Sequence, residues 1–274
     1  MVDVRREEET RIHRALSAWA QVKLVDVKRT PLPYGGLEAE AAVIRPVSMY
    51  RAAYSAGAYE ASNIFTVNTA EAIMLSGDKA LAYTRLAARG IPIPPTWYAT
   101  GAEAALKAAD ETGYPTVVKP PVGSWGRLVA KARTPEKLEQ LARLRQALPC
   151  APQKAMLIQP LLDTSASDIR CIVVAGAILG CMRRRAARRG EWRSNVALGA
   201  KVEPLKPTAE LEELAARAAD AVGGYFVSID IFDTREGLLV NEVNGVPEFK
   251  GFIRATGIDP AQALSKALHE TIHR

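Results

Sequence analysis

The chain has 274 residues, 48% of them apolar and 24% charged, with a formal net charge of +6, enough for one large α/β unit or two to three small lobes sharing an interface. No stretch reaches the ~18–20 uncharged apolar residues needed to span a bilayer, and Met1 to Thr10 carries charges of both signs where a signal peptide is apolar. These features exclude membrane and secreted classes and leave a cytoplasmic protein as the expectation. Cys150, Cys171 and Cys181 are odd in number and lack metal-ligand spacing, so they read as reduced thiols rather than a disulfide framework.

Three blocks follow one another. Residues 1–92 alternate short apolar runs, Val22–Val27 and Ala41–Ile44, with helical stretches, which predicts βαβ units around a small parallel sheet. The opening strand is short, because Met1–Val4 runs straight into charge. Asp78 is placed to cap a helix that begins at Lys79 and stops at Gly90. Residues 93–155 form a second block. Thr100 with Glu103 reads as a capping box for a helix ending at Gly113. Strands are predicted at Thr116–Lys119 and near Leu128–Lys131, and Thr134-Pro135 opens a helix with Leu138, Leu141 and Ala142 on one face. Residues 156–274 hold strands at Met156–Gln159 and Arg170–Ala175, a helix from Thr208 to Gly223-Gly224, a hairpin and a closing helix.

The hairpin carries the strongest chemical signal. Tyr225–Phe232 and Leu238–Asn244 are rich in Val, Ile and Leu around a turn at Asp233–Gly237. Alternation puts Asp230 on one face of the first strand, and Glu242 with Asn244 on one face of the second. Their oxygens can converge across the pair, where Mg²⁺ would offset the repulsion of two carboxylates and be completed by water and phosphate. Equally, all three could be solvent-facing positions of a half-exposed hairpin. Lys119 ends a strand and runs into Pro120-Pro121-Val122-Gly123-Ser124-Trp125-Gly126-Arg127, a flexible loop suited to cradling phosphate. Its spacing fits neither a Walker A loop nor a dinucleotide fingerprint. Six arginines fall between Arg183 and Arg193. They make either a solvated loop or a contact for something anionic.

Taken in order, Gly77-Asp78-Lys79, Gly90-Ile-Pro-Ile-Pro94, Val118-Lys-Pro120, Gly123-Ser-Trp-Gly-Arg127, Asp168-Ile-Arg170, Arg193-Ser-Asn195 and Asn241-Glu-Val-Asn244 resemble the ATP-grasp ligases, and within them the RimK/LysX branch. Arg45-Pro-Val-Ser-Met-Tyr-Arg51 and Asn244-Gly-Val-Pro-Glu-Phe-Lys-Gly-Phe252 are most similar to the LysX ligases of lysine biosynthesis. Those join the amino group of α-aminoadipate to the C-terminal glutamate of an acidic amino-group carrier protein; glutamate-accepting ligases of arginine biosynthesis share much of the pattern, and Gly251-Phe252 favours α-aminoadipate. The resemblance implies an α/β (α+β) ATP-grasp fold of three lobes with ATP between two antiparallel sheets. It assigns Lys79 and Lys119 to the phosphates, Gly123, Ser124, Trp125 and Gly126 to a covering loop, and Gln159, Pro160, Leu161 and Leu162 to the adenine side. Asp230, Glu242 and Asn244 map onto the Mg²⁺ positions, and Arg170, Arg193 and Asn195 onto the acyl-phosphate oxygens. It further implies a carrier-protein partner, a homo-oligomer (dimer or tetramer), no membrane and no nucleic acid. Arg183, Arg184, Arg185, Arg188 and Arg189 supply positive charge for docking the carrier.

Overall fold

A computed structural model describes residues 1–187, 191–192 and 199–273. In the first block, β1 (Ala41–Val43) and β2 (Phe65–Val67) pair in parallel across a crossover helix, α2 (Met49–Glu60). The Val22–Val27 run is not a strand. Its neighbour Met1–Val4 is too short to run beside it, and only the Val2–Asp26 bridge forms. Two helices follow, α3 (Ala70–Gly77) and α4 (Lys79–Ala88), the second capped by Asp78 accepting from the Ala80 and Leu81 amides.

The second block is a four-stranded antiparallel sheet in the order β3 (Trp97–Ala99), β6 (Met156–Pro160), β4 (Thr116–Lys119), β5 (Ala130–Ala132). Two helices, α5 (Ala102–Thr112) and α6 (Pro135–Gln146), cover one face, and the short α7 (Ala151–Lys154) leads into β6. Alternation divides the strands: Val118, Met156 and Ile158 pack with Ala105, Leu138 and Ala142, while Val117, Lys119 and Gln159 turn the other way into a cavity. β6 pairs with both β3 and β4 and so belongs to this sheet. The capping box at Thr100 does not form. Gly101 is the N-cap, and Glu103 pairs with Lys107 instead.

The third block is a five-stranded antiparallel sheet in the order β11 (Gly237–Asn244), β10 (Phe226–Thr234), β7 (Ser167–Val174), β8 (Ala177–Arg185), β9 (Lys201–Leu205). On one face α8 (Ala209–Ala221), capped by Thr208, buries Leu211, Leu214 and Ala218 against Val173, Ile229 and Val243. On the other, Ile172, Val174 and Phe226 meet α1 (Glu7–Leu16), α9 (Lys250–Thr256) and α10 (Pro260–Ile272). That second face is apolar at Ile172 and charged at Asp168 and Arg170, where the helices no longer cover it. Cys171 and Cys181 are opposite one another in the β7–β8 register, with Cα atoms 4.1 Å apart, and they form a disulfide. The expectation of reduced thiols therefore fails for this pair, and Cys150 is free and exposed.

Candidate active site

The uncovered faces of the two antiparallel sheets enclose a cavity of about 370 Å³, within the usual range for small-molecule sites. Lys79 enters from the first turn of α4. Its backbone amide donates to the Pro121 carbonyl, and its ammonium donates to the Gly123 carbonyl at 2.8 Å and pairs with Glu242 at 2.9 Å. Lys119 reaches in from the end of β4, almost fully buried, donating to Asn241 Oδ1 at 2.8 Å and to the Tyr83 hydroxyl at 3.3 Å. Burial first, and then the charge of Lys79, push the Lys119 ammonium down to about 7, with Glu242 opposing them. Two buried cations beside one cavity are what a polyanion requires.

The loop between β4 and β5 lies against this cavity through Gly123, Trp125 and Gly126. Gly126 has φ +69°, and Trp125 itself has φ +60°, a left-handed conformation uncommon for a bulky residue. Arg127 stacks over the indole at 4.9 Å. Gln159, Pro160, Leu161 and Leu162 form another wall. The Gln159 amide is held by Thr96 Oγ1 at 2.7 Å.

Asp230 and Glu242 are direct cross-strand partners. Asp230 is buried and clamped by Arg170, which donates to both carboxylate oxygens at 2.7 Å, and by Arg184 at 2.9 Å. Burial pushes the Asp230 carboxyl up, but the two guanidiniums outweigh it and hold it at about 2. Glu242 borders both the large cavity and a smaller one of about 100 Å³, while Asn244, Ser124 and Arg170 face only the smaller. Among the described residues no three His, Cys, Asp or Glu side chains converge. A cation here would rely on two carboxylates, one amide and ligand phosphate oxygens. That donor set suits Mg²⁺, and the Asn244 amide nitrogen is buried with no hydrogen-bond partner among the described residues.

Four contributors escaped the sequence. Asn241 enters because a bulge at Asp230/Ile231 leaves it unpaired between Val240 and Glu242, so adjacent residues both border the cavity where strict alternation would separate them. Tyr83 donates its hydroxyl to the Asn241 carbonyl at 2.7 Å. Trp192 lines the cavity with Lys131 over its ring. Arg184, assigned to carrier docking, is instead buried in the site, bidentate to Asp168 at 2.6 and 2.5 Å. Its neighbours Arg183 and Arg185, on the opposite face of β8, pair with Asp233 and Glu203. Arg188, Arg189, Arg193 and Asn195 lie outside the described residues.

A RimK-like ATP-grasp domain matches residues 76–268, and the glutamate–LysW ligase ArgX of Sulfurisphaera tokodaii is 41% identical over 98% of this chain and 97% of its own length. The chain belongs to the RimK-like ATP-grasp family. It is therefore an ATP-grasp ligase, a class that uses ATP and Mg²⁺. The α-aminoadipate–LysW ligase LysX of Sulfolobus acidocaldarius is 35% identical over 88% of the chain and 87% of its own. Among solved structures, a RimK-domain ATP-grasp protein from Sphaerobacter thermophilus superposes with a TM-score of 0.76 at 23% identity, covering 97% of both chains, which supports the ATP-grasp fold.

Proposed function

We propose that this ligase joins glutamate, through its amino group, to the C-terminal glutamate of a small acidic carrier protein by way of an acyl phosphate, as a step of arginine biosynthesis. One observation carries the reading: the two cavities share Trp125, Arg184 and Glu242, with two lysines on one side and a recess lined by Arg6 and Arg170 on the other. Phosphate donor and carboxylate acceptor can thus be brought together at a single point. Similarity selects the amino acid. Two glutamate–LysW ligases are 41% and 39% identical over 98% and 96% of the chain. Three α-aminoadipate–LysW ligases reach 34–35% over 84–88%. Gly251 and Phe252, read as favouring α-aminoadipate, are both buried in α9 and border neither cavity, so the weight moves to glutamate.

A carboxylate resists amine attack because its oxygen is a poor leaving group, and phosphorylation supplies a good one. Lys79 and Lys119 hold the nucleotide phosphates and offset charge that develops during transfer. Mg²⁺, when bound, adds further charge compensation at the phosphates. Arg170 faces the recess where the acyl phosphate forms, and the Trp125 loop keeps water from it. A cytoplasmic setting and a homo-oligomer complete the proposal; no described helix is long and apolar enough to cross a membrane. The test is product mass analysis with purified carrier, ATP, Mg²⁺ and either glutamate or α-aminoadipate. The expected product is carrier plus one glutamate. Addition of α-aminoadipate alone would reverse the assignment, and no ATP-dependent addition would end it.

A further inference from the structure

The smaller cavity carries charges of both signs. Arg170 comes from β7, Arg6 from the head of α1, and Glu248 from the segment after β11. Residue 248 is fixed from two directions. The Arg6 guanidinium grips Glu9 at 2.8 Å and donates to Glu248 Oε1 at 2.9 Å. Buried Arg45 pairs with the same Glu9 at 3.0 Å and donates to the Pro247 carbonyl at 2.9 Å, anchoring the backbone one residue earlier. Glu8 adds a carboxylate oxygen 3.3 Å from the Phe249 and Lys250 amides. These contacts fix the backbone on both sides of Glu248 and one of its carboxylate oxygens. Yet Glu248 Oε2 accepts no hydrogen bond from the described residues, and the side chain stays about one-third exposed at 35%.

A carboxylate held on the wall of a cavity, with one oxygen free of protein partners among the described residues, can accept a cation that enters there. The cavity also borders Glu242 and Asn244, so whatever binds there lies beside the acceptor carboxylate being activated. We infer that Glu248 binds the ammonium group of the incoming amino acid and takes the proton it must lose before the freed amine attacks the acyl phosphate, with Arg6 and Arg45 as its positioning residues. The second proton leaves with inorganic phosphate as the amide forms. The inference rests on the ligase reading above. Arg170, on the same wall, offers a guanidinium to an amino acid's carboxylate, so the recess matches a zwitterion. Neither lysine of the nucleotide cavity reaches it.

Hydroxylamine separates this role from the rest of catalysis, because it is uncharged near neutral pH and traps an acyl phosphate as a hydroxamate without an ammonium anchor. In Glu248→Gln, KM for glutamate should rise about tenfold or more, the scale of a lost charge-assisted hydrogen bond. The ratio of glutamate product to hydroxamate, both formed on carrier with ATP, should fall by a similar factor. Glu248→Asp, which keeps the charge, should recover part of both. An unchanged ratio in Glu248→Gln, with both products reduced together, would show that the residue serves only the loop's structure and would overturn the inference. Wild-type protein that yields no hydroxamate on the carrier would instead overturn the ligase reading, and this inference with it.

Discussion

Lys119 shows what burial prepares a side chain to do. Its ammonium titrates near 7 in the folded protein, against 10.5 unperturbed. Between those values the unfolded chain holds a proton that the folded chain lacks, so this residue makes stability rise with pH across that window. Nucleotide phosphates would restore the charge, and ATP binding at pH 8 should take up a proton. Calorimetry in two buffers of different ionisation enthalpy measures that uptake. Lys119→Met should abolish it and weaken ATP binding, and proton-neutral binding by the wild type would remove Lys119 from the phosphate site. Arg184 makes the complementary case. It is buried between Asp168 and Asp230, and Arg184→Met leaves two carboxylates short of their partner. A loss of about 3–5 kcal/mol is expected in urea unfolding. A loss under about 1 kcal/mol, the range of exposed pairs, would contradict the buried network. Sequence could not separate Arg184 from Arg183 and Arg185. Only the period of two along β8, invisible until the run is known to be a strand, sorts one arginine inward and two outward.

At the scale of elements, the hairpin and the Gly-Ser-Trp loop were legible because each depends on local pattern. Val227, Ile229 and Ile231 alternate along β10, Leu238, Leu239, Val240 and Val243 make β11 apolar, and glycines bracket Trp125. The bulge at Asn241 was not legible, since register is decided between strands rather than along one. The same holds for β6, whose partners lie about 40 residues away in β4 and about 60 away in β3, and for the disulfide, which needs the β7–β8 register. The capping box at Thr100 failed for a simpler reason: two adjacent residues could cap α5, and the helix began one residue late. The loop itself yields a prediction. If Trp125 shields the acyl phosphate from water, Trp125→Ala should raise ATP hydrolysis severalfold per mole of ligated product. The check is ADP release measured beside product mass. An unchanged ratio would reduce the loop to a wall.

At the scale of the molecule, a net charge of +6 favours an acidic partner. Charge reversal of Arg188 and Arg189 to Glu should raise KM for the carrier severalfold and leave KM for ATP unchanged, and the effect should shrink with added salt. A carrier KM indifferent to both would place docking on another face. The two lysines have a further consequence. They stitch one sheet to the other: Lys119 on β4 holds Asn241 on β11, and Lys79 joins the Gly123 loop to Glu242. Nucleotide phosphates bound as proposed would compete for those same ammonium groups. As they took hold, the direct stitches between the lobes would slacken and the nucleotide itself would become the splice that spans them. The mutual orientation of the two sheets would then depend on the cargo in the cleft, and transfer of the terminal phosphoryl group, by shortening that splice, would let the halves part and release what they have made.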